Sequence, residues 1–136
     1  MIGILIVTHF DLGKKLLEVA ESMMGKQQFC ASVSIDLNQD SAALVSKIRE
    51  ALEEVDLGEG VLILTDMFGG SPTNLSLSLL GEKDIEVVTG VNLPMILGIL
   101  SSRELPLKEL AAKAKSYGRQ GITVASEILE RKIPIK

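Results

Sequence analysis

One histidine occurs in the chain, His9, directly after an unbroken run of strand-forming residues, Met1-Ile-Gly-Ile-Leu-Ile-Val-Thr8. Imidazole is the side chain whose ordinary pKa lies nearest neutrality, so it can serve as a nucleophile or as a proton carrier. A second apolar run, Gly60-Val-Leu-Ile-Leu-Thr65, ends in the same way at Asp66. A carboxylate that accepts from a histidine Nδ1–H fixes the tautomer and leaves a lone pair on Nε2. It also stabilises the positive charge that develops on the ring during attack. A pairing of His9 with Asp66 is therefore the expected chemical core. Asp11 is an alternative partner, but its place just ahead of a helical pattern reads better as an N-cap.

The other informative stretch is Gly69-Gly70-Ser71-Pro72. Pro72 suits the first position of a helix, which makes Ser71 the expected N-cap. Two preceding glycines let the backbone come close to a ligand. Free N–H groups at a helix start favour an anion such as phosphate. Alone, this run reads as a tight turn and a capped helix. Joined to a nucleophilic imidazole and an orienting carboxylate, it suits phosphoryl transfer, where positioning and charge stabilisation carry most of the catalysis.

Other chemistries lack their residues. There is no G-x-S-x-G elbow for a serine hydrolase. Neither the G-x-x-x-x-G-K-[ST] nor the G-x-G-x-x-G nucleotide pattern occurs. One Cys and one His do not make a zinc site, and neither a metal nor an organic cofactor is expected. A receiver domain phosphorylated on Asp66 would need an acidic metal-binding pair after the first strand, where Thr8-His9 stands.

The elements that must hold these residues alternate strand and helix. Residues 2–8 read as a strand buried on both faces. Leu12, Leu16, Leu17, Val19, Ala20, Met23 and Met24 recur at helical spacing, and Gly25 stops that helix. Residues 29–35 alternate as an edge strand would. Asp40 or Ser41 starts a helix with the stripe Leu44, Ile48, Leu52 and Val55. A strand over 60–65, a helix from Pro72 through Leu80 and a strand over 85–89 follow. Helices are then expected near 94–102 and 107–117, and a fifth strand at Ile122–Ala125. The class implied is α/β, a doubly wound, mostly parallel sheet. In the order 2-1-3-4 the first and third strands lie side by side and their connections leave to opposite faces. A crevice then opens at their carboxyl ends, beside His9 and Asp66.

The 136 residues suit one domain, 1–136. With 3% aromatic residues, no Trp and a net charge of −4, the chain is a poor match for a nucleic acid. The lone Cys30 excludes an internal disulfide and reads as a buried structural thiol. The N-terminal apolar run is too short for a signal peptide or a membrane span, so the expected location is the cytoplasm.

Taken together, these motifs resemble the IIA component of the mannose family of the bacterial phosphoenolpyruvate:sugar phosphotransferase system. The resemblance rests on Ile4-Leu-Ile-Val-Thr-His9, Gly60-Val-Leu-Ile-Leu-Thr-Asp66, Gly69-Gly-Ser-Pro72 with Asn74, and Gly90-Val-Asn-Leu-Pro-Met95. It implies that His9 takes a phosphoryl group from the phosphocarrier protein HPr on Nε2 and hands it to a separate IIB partner. It further implies that Asp66 holds the ring, that Gly69, Gly70 and Ser71 line the phosphate side, and that the loop 90–95 shapes the site. A homodimer exchanging an antiparallel C-terminal strand, with Ile122–Ala125 as its candidate, and an indirect membrane association through permease components belong to the same expectation. Phe68 stands where some relatives carry Trp. The alternative is a regulatory module of the same fold whose phosphorylation switches a partner's affinity.

Overall fold

The computed structural model describes residues 1–67, 69–81 and 84–132. Phe68 lies outside them. Four strands, β1 (Gly3–His9), β2 (Cys30–Ile35), β3 (Val61–Thr65) and β4 (Ile85–Thr89), pair in parallel in the order β2-β1-β3-β4. The class, the parallel pairing and the strand order are those expected.

The two inner strands are apolar up to their carboxyl ends because both faces of the sheet are covered. Ile4, Ile6, Leu62 and Leu64 face α1 (Leu12–Met24), α4 (Leu93–Leu100) and α5 (Leu107–Gln120). Leu5, Val7, Val61 and Ile63 face the other way, onto the Leu44-Ile48-Leu52-Val55 stripe of α2 (Ser41–Val55). Full burial of such a side chain contributes roughly 1.5–3 kcal/mol. The two central strands are thus the best anchored part of the molecule.

Helix α3 (Ser71–Leu77) packs on the α2 side, while α1 packs opposite. The connections after β1 and β3 therefore diverge between adjacent strands. The register places Val7 beside Thr65, so the next residues along each strand, Thr8-His9 and Asp66, emerge together.

Several boundaries differ from the sequence reading. Gly70, not Ser71, is the N-cap of α3, and Ser71 is its first residue. Proline tolerates the second helical position as well as the first, since neither N–H has an intrahelical acceptor. α3 stops at Leu77, and the chain continues in tight turns closed by Leu79 N–H to Ser76 O and Leu80 N–H to Leu77 O. α5 runs on to Gln120 because Gly118 fits against Met95, where a Cβ would lie 2.8 Å from Met95 Cε.

The expected strand at Ile122–Ala125 does not join this chain's sheet. Residues 122–124 belong to no regular element, and Ala125 opens α6 (Ala125–Lys132). The run Ala-Ser-Glu-Ile-Leu-Glu-Arg-Lys is rich in helix formers. The Val124 carbonyl already accepts the amides of Glu127 and Ile128 as the first helical bonds.

Candidate active site

His9 is the last residue of β1, and its backbone and ring both turn to Asp66. The ring Nδ1 lies 2.8 Å from Asp66 Oδ2, and the His9 amide donates to the same oxygen at 3.0 Å. Asp66 Oδ1 accepts the Met67 amide at 3.1 Å. The imidazole side chain is 29% exposed and the carboxylate 13%. Burial pushes the Asp66 carboxyl up, but the hydrogen bonds from the His9 ring and amide and the ring's charge outweigh it and hold the group below its usual range. Asp66 is therefore an ionised acceptor at neutral pH. The hydrogen between the two residues sits on Nδ1, and the lone pair of the neutral ring is on Nε2.

The edge of the ring that carries Nε2 faces the glycine turn. A Cβ on Gly70 would lie 2.9 Å from His9 Cε1 and 3.6 Å from Nε2. Gly70 has φ −84° and ψ 169°, ordinary extended values. Its lack of a side chain serves space and not backbone freedom. Gly69 is the converse case: nothing crowds it, but φ is +85°, in the left-handed region that glycine enters without strain. Of the residues expected at the site, His9, Asp66 and Gly70 come together directly and Gly69 precedes them in the turn. Ser71 opens α3 and lines a neighbouring groove of about 240 Å³ against Ser41 and Leu44 of α2.

Asp11 does not compete for His9. Its Oδ1 accepts from Ser34 Oγ at 2.8 Å on the adjacent strand. Although Asp11 occupies the N-cap position of α1, its side chain makes no cap bond. Thr8 Oγ1 accepts the Gly13 amide at 2.7 Å instead, which ties the helix start to the strand that presents His9. In the loop 90–95, Asn92 caps α4 through Met95 N–H at 2.9 Å and donates to Gly118 O at 3.0 Å. The Val91 amide reaches Thr65 O at 2.9 Å. The contacts of this loop are thus structural ones.

Three residues escaped the sequence reading. Thr8 precedes the last residue of β1, Thr65 ends β3, and Thr73 sits in the first turn of α3; all three are fully buried. The signal for the first two was a lone hydroxyl closing an apolar run. Phe10 also stands out: it follows the histidine at φ +48°, a strained value for an aromatic residue, and is 62% exposed. Among the described residues no group of three or more His, Cys, Asp or Glu side chains is placed to hold a metal ion.

The fold is matched by known proteins. The family model described as "PTS system fructose IIA component" matches residues 3–115. The chain belongs to this family, the mannose-type IIA components of the phosphotransferase system. It is 34% identical over 133 residues to the fructose-specific EIIA component of Bacillus subtilis, covering 96% of this chain and 91% of that one. It is also 34% identical over 124 residues to the mannose-specific EIIAB component of Escherichia coli K12, covering 89% of this chain. The chain spans only 38% of the length of that relative. The crystal structure of an EIIA component from Streptococcus agalactiae superposes with a TM-score of 0.84 at 26% identity, covering 93% of this chain and 99% of that one. Among the described residues no helix is long and apolar enough to cross a membrane.

Proposed function

We propose that this IIA component is a phosphohistidine carrier that accepts a phosphoryl group from phospho-HPr on His9 Nε2 and passes it to a IIB unit. The observation that carries the reading is the 2.8 Å contact of His9 Nδ1 with Asp66 Oδ2, with the Nε2 edge turned to Gly70. In the transfer, the Nε2 lone pair attacks phosphorus and the donor's P–N bond breaks. The electron pair of that bond returns to the donor imidazole. The Nδ1 hydrogen stays in place, and the Asp66 carboxylate offsets the positive charge on the ring. Gly69, Gly70 and Ser71 supply backbone amides beside the phosphoryl oxygens at the start of α3, where negative charge is favoured. Hand-on to IIB is the same displacement in reverse. The protein acts in the cytoplasm and reaches the membrane only through its permease partners. We include a homodimer in the proposal, supported by the exposed apolar side chains of Ile122 and Val124 after α5.

The test is labelling with enzyme I, HPr and phosphoenolpyruvate. One acid-labile phosphoryl group per chain is expected, with none on His9→Ala. Acid-stable label, or label that survives the substitution, rejects the proposal. If the phosphorylated form captures a transcriptional regulator and no IIB protein, the role is regulatory.

A further inference from the structure

Thr65 and Thr73 place two hydroxyls in a fully buried setting behind the site. Their Oγ1 atoms are 2.5 Å apart, and Thr73 Oγ1 is also 2.6 Å from the Met67 carbonyl oxygen. A hydroxyl has one hydrogen to give, and a carbonyl can only accept. Thr73 must therefore donate to Met67, and Thr65 must donate to Thr73. The direction of the chain is fixed: Thr65 to Thr73 to Met67. Met67 is also the residue whose amide donates to Asp66 Oδ1 at 3.1 Å, while Asp66 Oδ2 holds His9. Two hydrogen-bonded stretches, Thr65 to Thr73 to the Met67 carbonyl and the Met67 amide to Asp66 and His9, are thus joined through the main chain of Met67.

Packing does not call for these hydroxyls. The rest of β3 is Val-Leu-Ile-Leu, and an apolar pair of the same shape could fill the space at nearly equal stability. What the apolar pair could not do is anchor the Met67 carbonyl. The segment between Asp66 and Gly70 includes the left-handed Gly69, and Met67 Cγ would be 3.3 Å from a Cβ on Gly70. A shift of Met67 therefore reaches both the carboxylate that holds the ring and the wall beside Nε2. A fully satisfied buried polar network holds one arrangement in preference to others.

We propose that the Thr65–Thr73 hydroxyl pair positions the His9 imidazole, acting through Met67 and Asp66. Both threonines are positioning residues, and their functional meaning rests on His9 being the phosphoryl acceptor. The readout is imidazole ¹⁵N NMR of the neutral ring. The wild-type ring should be held as the Nδ1–H tautomer. Thr73→Val should give a mixture of tautomers and slow phosphoryl acceptance about tenfold or more, as small misplacements of reacting groups do. Thr73→Ser should restore both. The double variant Thr65→Val/Thr73→Val leaves no buried hydroxyl unpaired and should fold even if Thr73→Val does not. It should show the same tautomer mixing. A wild-type tautomer ratio in the folded valine variants, or failure of serine to restore it, overturns the proposal. If the wild-type protein takes no phosphoryl group from phospho-HPr, the carrier reading fails, and the tautomer ratios still decide whether the hydroxyl pair orients the ring.

Discussion

Gly70→Ala is the most direct probe of the geometry. The added methyl would meet His9 Cε1 at 2.9 Å, Met67 Cγ at 3.3 Å and His9 Nε2 at 3.6 Å. Comfortable carbon–carbon contact is about 3.5–4.0 Å, so the ring must give way by at least ~0.6 Å. Because the backbone angles of Gly70 are ordinary, alanine brings no torsional strain. It gains about 0.4–1 kcal/mol by restricting the unfolded chain. Overpacking costs about 1–3 kcal/mol. The net change should lie between about neutral and ~2.6 kcal/mol destabilising, measured by urea unfolding. Function should suffer more than stability. A displacement of this size at a reacting atom, with a methyl beside its line of approach, should slow phosphoryl acceptance roughly 10- to 100-fold in a rapid-quench assay. Gly70→Ala that accepts phosphoryl within twofold of wild type at wild-type stability would show that the turn does not border Nε2, and the steric argument would be refuted.

Asp66→Asn removes a charge-assisted acceptor worth about 1.5–3 kcal/mol, so phosphoryl acceptance should fall about 10- to 150-fold; stopped-time labelling with phospho-HPr measures it, and an unchanged rate would exclude a role for the carboxylate. The Asp66 pKa is lowered by folding, so its contribution to stability is present above the ordinary aspartate value of about 3.9 and is lost as pH falls through the lower folded value. Urea midpoints should drop below about pH 4 in the wild type, and Asp66→Asn should flatten that part of the dependence. Cys30, whose thiol is pushed up to about 11 chiefly by burial, with Arg103 opposing, should react with a small thiol reagent at pH 7 at least a hundredfold more slowly than a free cysteine; labelling at the rate of an unfolded control would contradict its placement.

Much of the architecture could be read from the chain because its two central strands are uninterrupted apolar runs, each leading to one ionisable residue. That pattern identified both the strands and the contact between His9 and Asp66. The helical stripe from Leu44 to Val55 was equally legible, since one face is buried and the other is not. The C-terminal region was not. Ile-Thr-Val suits a strand locally, but a strand needs a neighbour for its amides, and the helix formers from Ala125 onward supply a local alternative. Capping was legible only in part for a related reason: Asp11 holds the N-cap position of α1 but makes no side-chain cap bond, and Gly70, not Ser71, caps α3. Asp11 and Ser71 are both good N-cap types, yet which oxygen meets a helix amide depends on the tertiary approach of the strand, as Thr8 shows. The hydroxyl chain through Thr65 and Thr73 joins residues eight apart in separate elements, a distance that no local period reveals.

One oxygen atom, Asp66 Oδ2, receives both the amide and the ring of the same histidine. The imidazole is thereby referenced to its own main chain, in a strand clamped on both sides, and not to a mobile surface segment. Surface features around it, including the exposed Phe10 and the β2–α2 loop, can then be exchanged without moving the imidazole. A chimera carrying a relative's loops on this sheet should keep the ¹⁵N signature of its histidine even where its choice of partner has changed.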